Sequence, residues 1–171
     1  MAYRLQESLI KFLKDNFIIN FMKVHRMQKS SDGTIKNAIM LFDGYIVECV
    51  LIPTKKRITA CVSSQVGCSL NCKFCATAKL KRMRNLNPDE IYDQVVLIHQ
   101  QSIEHFQRPL TNIVFMGMGE PLMNYNNVLS SIGKITSKSG LGISPKRIVV
   151  STSRIPKMIK KIADQGVKFK L

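Results

Sequence analysis

Three cysteines fall in one short segment, Cys68-Ser69-Leu70-Asn71-Cys72-Lys73-Phe74-Cys75, separated by three and then two residues. Thiolates are soft ligands, and at this spacing they can wrap one corner of a cubane cluster and ligate three of its irons. The fourth iron then lacks a protein ligand, which leaves a position where a cofactor can bind and react. The competing chemistry is zinc, which takes four protein ligands, usually through a second Cys or His pair. His99 and His105, the next histidines downstream, fall on or just after an expected helix and are not paired. Ligand arithmetic therefore favours iron–sulfur, with a zinc-stabilised module as the alternative. All five cysteines lie between positions 49 and 75. That clustering argues for metal or redox chemistry rather than a disulfide scaffold.

A second group, Met116-Gly117-Met118-Gly119-Glu120-Pro121, follows the next expected strand. Glycines at the carboxyl end of a strand let backbone approach a ligand closely, and a neighbouring carboxylate can accept hydrogen bonds from an ammonium group. Two further residues are ambiguous by themselves. Cys61 reads as a small residue buried in a strand. Glu48 is the single charge in the apolar runs around it, on the face shared by Ile46 and Val50, and reads as a carboxylate at a solvated edge.

The elements that must position these groups are legible from periodicity. Leu5, Leu9, Phe12, Leu13 and Phe17 predict a helix over residues 2–22. Ser30, Ser31, Asp32 and Gly33 mark a turn. Apolar runs at 38–42 and 45–52 flank Asp43-Gly44, a hairpin signal that Pro53 ends. From Ile58 the pattern becomes strands (58–63, 112–116, 147–151 and 167–171) alternating with helices (88–101, 125–138 and 156–165). Asn87 is the expected cap of the first of these helices, with Pro88 in its first turn. Such alternation implies a parallel sheet with right-handed crossovers. The pattern stops midway, so an N-terminal fragment or one half of a split protein is expected.

Composition narrows the class. In 171 residues, 26 Lys and Arg face 11 acidic residues, a formal charge of +15 that favours an anionic partner such as nucleic acid. The cations cluster at Lys55-Lys56-Arg57, at Lys79, Lys81, Arg82 and Arg84, and at Lys157, Lys160 and Lys161. Near the start the longest uncharged stretch, residues 16–22, is far too short to span a bilayer. The signal-peptide pattern is absent too, so a cytoplasmic protein without membrane contact is expected.

Taken together, Ser63-Ser64-Gln65-Val66-Gly67-Cys68, the three cysteines, Arg84-Asn85-Leu86 and Gly117-Met118-Gly119-Glu120-Pro121-Leu122 closely resemble the RlmN/Cfr family of radical S-adenosylmethionine (SAM) enzymes, which methylate adenine in RNA. Ser30-Ser31-Asp32-Gly33-Thr34, Asn126-Asn127-Val128 and Ser151-Thr152-Ser153 are similar to other family segments, so the resemblance covers nearly all of the chain from Ser30 onward. Gln65-Val66-Gly67 and Glu120-Pro121 resemble the RlmN type, which modifies carbon-2 of adenine in ribosomal and transfer RNA, more than the Cfr type, which modifies carbon-8.

The resemblance implies an α/β fold, a partial (βα) radical SAM barrel preceded by an N-terminal helix and a β-hairpin. Residues 1–28 would be a remnant of a helical accessory region, 29–57 the hairpin leading into the barrel, and 58–171 the first half of the barrel. It also implies that Cys68, Cys72 and Cys75 hold a 4Fe-4S cluster, and that Gly119, Glu120 and Ser151 contact SAM. Cys61 stands at the position of the family's resolving cysteine. Glu48, in a matching Val-Glu-x-Val segment, stands at that of its proton acceptor. In the implied reaction a cysteine in the C-terminal part is first methylated by one SAM. A radical made from a second SAM activates that methyl group, which adds to adenine. Glu48 takes the carbon-2 proton, and Cys61 releases the product by forming a disulfide. Implied partners are ribosomal RNA, transfer RNA and an electron donor such as flavodoxin or ferredoxin, with the protein a monomer. No Cys follows Cys75 to carry the methyl group, so the chain alone is expected to be inactive. Arg154 departs from the family's usual Gly, which alters the loop expected there.

Overall fold

The computed structural model describes residues 6–16, 22–70, 72–153 and 155–171. In chain order its strands are β1 (Lys23–Lys29), β2 (Ile35–Met40), β3 (Ile46–Pro53), β4 (Ile58–Cys61), β5 (Gln65–Val66), β6 (Arg84–Asn85), β7 (Asn112–Phe115) and β8 (Ile148–Val150); its α-helices are α1 (Glu7–Asn16), α2 (Pro88–Phe106), α3 (Tyr125–Thr136) and α4 (Pro156–Asp164). One mixed sheet runs in the order β1-β2-β3-β4-β7-β8, and β5 and β6 form a separate ribbon.

The first four strands meander antiparallel, because short polar turns join them. At Asp43-Gly44 the Leu41 and Gly44 amides close the turn, and Gly44 sits at φ 82°, a region that favours glycine. Ser30 to Thr34 forms a second hairpin, with the Asp32 carboxylate accepting from the Thr34 amide at 2.9 Å. The strand before it, β1, has no counterpart in the sequence reading. All seven of its residues are exposed, so it carries no apolar alternation to read. It spans the expected boundary at 28/29 and pairs with β2. The helix expected over 2–22 is described only as α1, and Leu5 and Phe17 lie outside the described residues.

From β4 onward the pairing is parallel, β4 with β7 and β7 with β8, and helices provide the crossovers. This is the half-barrel alternation expected from Ile58 onward. Asn87 caps α2 through a reciprocal pair of bonds with Glu90, a contribution of about 1 kcal/mol. That helix continues to Phe106, beyond the expected end at 101, because Gln107 supplies the left-handed cap at φ 52°. Of the strand expected over 167–171, only a parallel bridge from Lys170 to Val149 is formed.

Register divides the sheet into two faces. Ile35, Ile39, Val47, Cys49, Leu51, Ile58, Ala60, Ile113, Phe115, Ile148 and Val150 are buried in one core with Ile91, Val95 and Ile98 of α2 and Val128 and Ile135 of α3. A buried amide pair, Asn37 with Gln101, bonds β2 to α2 at 2.8 and 2.9 Å. The opposite face is only partly covered. Lys36 pairs with Val50, Val50 with Cys61, Cys61 with Val114, and Val114 with Val149, a row that crosses five strands. Among the described residues no helix is long and apolar enough to cross a membrane.

Candidate cofactor site

Parallel strands end together, and the loops after them share one edge of the sheet. Here the loops following β4, β7 and β8 enclose a cleft of about 700 Å³. Cys68, Cys72 and Cys75 line it from the first loop, Gly119 and Glu120 from the second, and Ser151 and Ser153 from the third. Residues far apart in sequence and singled out by type are thus brought together.

The cysteine loop is closed at its neck. Gln65 pairs with Asn85 and Val66 with Arg84, and the Cys68 amide reaches the Leu80 carbonyl at 3.4 Å. Gly67 sits at φ 72°, where an added Cβ would strike the Lys81 carbonyl, so this crossing requires glycine. Arg84 anchors the return limb, donating to Asp43 at 2.6 Å and to both oxygens of Glu90 at 2.7 and 2.8 Å. These two carboxylates push the guanidinium pKa further up, although burial opposes them. Beyond the neck the bonds among the described residues are few and include Leu70 N–H to Cys68 Sγ at 3.4 Å, Cys75 N–H to the Cys72 carbonyl at 3.1 Å, and Ala78 N–H to the Cys75 carbonyl at 3.2 Å. Phe74, at 95% exposure, packs on almost nothing.

All five cysteines are free thiols. Among the described residues no three His, Cys, Asp or Glu side chains are gathered closely enough to hold a single metal ion. Three thiols around one cleft, with no histidine or fourth cysteine among the described residues lining it, fall short of the four ligands of a zinc tetrahedron. They do fit a cluster, whose thiolates bind separate irons.

The second loop is built differently. The glycines were expected to make room for a ligand; the structure shows that they first make room for the preceding loop. A Cβ on Gly117 would lie 2.7 Å from Ser63 Oγ, and one on Gly119, at φ 95°, would lie 2.5 Å from Gln65 Cβ and 2.8 Å from its backbone nitrogen. Gln65, fully buried, accepts from the Glu120 amide at 2.9 Å and donates to Asn85 at 2.7 Å. The Glu120 carboxylate, 3% exposed, accepts from the Leu122 amide at 2.9 Å and from the Ser153 amide at 2.7 Å. Each oxygen keeps a further lone pair for an ammonium donor.

In the third loop Ser151 is exposed to the cleft, and the Ser153 hydroxyl lies 3.7 Å from Cys72 Sγ. Thr152 buries its hydroxyl with no hydrogen-bond partner among the described residues. Arg154 lies outside the described residues.

Glu48 and Cys61 share the partly covered face of the sheet, as alternation implied for Glu48. The Glu48 carboxylate pairs with Lys36 at 2.7 Å, both side chains about half exposed. Its backbone carbonyl accepts from the Ser63 hydroxyl at 2.5 Å, and Ser63 Oγ in turn accepts from the Met118 amide at 2.8 Å. One hydroxyl thus ties the Glu48 strand to the glycine loop. Burial pushes the Cys61 thiol pKa up, opposed by a backbone hydrogen bond from Met116. Cys49 is on the helix-covered face, where burial raises its thiol to about 12, as suits a packing residue.

Nothing in the sequence marks out Ser63, Gln65 or Ser153 individually, because a single amide or hydroxyl carries no pattern that reveals its partner. The basic clusters separate in space. Lys79, Lys81 and Arg82 are exposed on the return limb of the cysteine loop, whereas Lys55, Lys56 and Arg57 lie in the β3–β4 turn, at the other end of β4.

Comparison with known proteins agrees with this geometry. The radical SAM superfamily profile matches residues 62–169. A protein of Christiangramia forsetii named "Probable dual-specificity RNA methyltransferase RlmN" is 72% identical over 161 residues, covering 94% of this chain and 46% of that protein. Its namesake in Flavobacterium psychrophilum is 70% identical with the same coverage. The crystal structure of a radical SAM methyltransferase from Sphaerobacter thermophilus superposes with a TM-score of 0.89 at 36% identity, over 98% of this chain and 49% of that one. The chain spans about half the length of the curated relatives it matches.

Proposed function

The chain belongs to the radical SAM superfamily, and on that premise we propose that it supplies the cofactor-binding part of an RlmN-type enzyme that methylates carbon-2 of adenine in ribosomal and transfer RNA. The observation that carries this reading is the meeting of three thiols, a buried carboxylate and a serine loop around one cleft. Superfamily membership implies a 4Fe-4S cluster and SAM.

Cys68, Cys72 and Cys75 would hold the cluster. Gly119, Glu120 and Ser151 would take the amino-acid end of SAM, Glu120 through the lone pairs its two amide partners leave free. When bound, the pair supplies the one-electron chemistry that an electron-poor aromatic carbon requires, since displacement at a sulfonium cannot methylate it. Glu48 would accept the carbon-2 proton on the partly covered face, with Lys36 holding its carboxylate in place. Cys61 would act as the resolving thiolate toward a methyl-carrying cysteine outside this sequence. Its raised pKa means that this step needs a partner or substrate that drains the proton. The protein would work in the cytoplasm as a monomer, reduced by a donor such as flavodoxin or ferredoxin.

Anaerobic reconstitution with iron and sulfide tests the reading. A brown protein whose spectrum changes on adding SAM is expected; a colourless protein that retains zinc sinks it. RNA binding should weaken steeply with salt, as phosphate contacts require. Methylation of RNA by the 171-residue chain alone would overturn the assignment of the methyl carrier to another segment.

A further inference from the structure

Ser153 touches both halves of the cleft. Its amide donates to Glu120 at 2.7 Å, and its hydroxyl stands 3.7 Å from Cys72 Sγ, a contact between residues 81 apart in sequence. The backbone is therefore pinned by a carboxylate that is itself buried and held through Gln65, so the hydroxyl is delivered to the sulfur by a fixed frame. A serine hydroxyl has one proton to donate, and a metal-bound thiolate has none. With Cys72 as ligand, the bond must run from Ser153 to sulfur.

We propose that Ser153 is a positioning residue whose hydroxyl donates to the Cys72 thiolate and raises the reduction potential of the cluster. This rests on the cluster assignment made above. The physics is that of any donor near a cluster sulfur. Reduction adds negative charge, which spreads onto the thiolates, and a hydrogen-bond dipole stabilises the more negative state. Cys68 receives its donor from a backbone amide, Leu70, which no side-chain substitution removes. Ser153 supplies the Cys72 donor from a side chain, so its contribution can be isolated.

The test uses the full-length protein, reconstituted anaerobically, with Ser153→Thr and Ser153→Val as a pair of equal shape that differ in the hydroxyl. Potentiometric titration is followed by electron paramagnetic resonance of the reduced cluster. The Thr variant is expected to titrate with the parent, and the Val variant at a more negative potential with unchanged iron and sulfide content. If the Val variant loses iron, Ser153→Ala is titrated in its place and is expected to shift in the same negative direction. Equal midpoints for Thr and Val variants with full clusters overturn it and leave the cluster assignment standing. A parent that assembles no cluster overturns that assignment, and this proposal with it.

Discussion

The cysteine loop and the glycine–glutamate loop face each other across one cleft, yet they are made in opposite ways. The first is fastened at its neck and nearly unsupported beyond it, with Phe74 at 95% exposure and few internal bonds. The second is packed against β4's continuation so closely that two of its positions admit no side chain, and its carboxylate is 3% exposed with both oxygens bonded. The difference teaches where each half gets its order. The glutamate half is preorganised by the protein, through a position, Gly119, whose positive φ and close packing only glycine accommodates. The cysteine half is held at its neck, and its three thiols line the cleft from a loop with few bonds of its own among the described residues.

That contrast can be broken in a graded series. The largest effect is expected from Cys68→Ala, Cys72→Ala or Cys75→Ala: essentially complete loss of bound iron, with an apo-protein melting temperature close to the parent's. A large fall in apo stability would show that the loop is packed after all. Next, Gly119→Ala should destabilise the apo-protein by roughly 2–4 kcal/mol, combining positive-φ strain with overpacking against Gln65, measured by urea unfolding. A neutral result would mean that the loop shifts freely and is not preorganised.

Gln65→Met keeps the volume and removes both amide bonds, so it should cost about 1–3 kcal/mol in the apo-protein and weaken SAM binding to the reconstituted one. Unchanged SAM affinity would separate Gln65 from the placement of Glu120.

An effect confined to alkaline pH concerns the sheet beneath both loops. Cys49 titrates near its ordinary value of 9.0 in the unfolded chain and at about 12 when folded. Between those values the unfolded state binds fewer protons, so stability should fall as pH rises, at most by about 1.4 kcal/mol per pH unit. Cys49→Ala should flatten that slope in unfolding curves taken across this range.

Much of the scaffold was legible because it follows local rules. Asp43-Gly44 announced its hairpin, Asn87 with Pro88 announced the start of α2, and the alternation from Ile58 announced the parallel half-sheet. β1 was not legible, since an exposed strand has no apolar period and owes its existence to pairing with β2. The β5–β6 ribbon was missed for a related reason. Two residues on each side of a long loop show no periodicity, and only loop closure defines them.

For the candidate site, residue type and spacing by themselves singled out Cys68, Cys72 and Cys75 as one group and placed Gly119-Glu120 after a strand, because ligand chemistry and strand ends are encoded over a few neighbouring positions. Tertiary structure alone decided that Gln65 occupies the space Gly119 vacates, that Glu120 holds the Ser153 amide, and that Cys61 shares the Glu48 face. Those relations depend on strand order and register. Register is a property of how distant segments pair, and no single segment contains it.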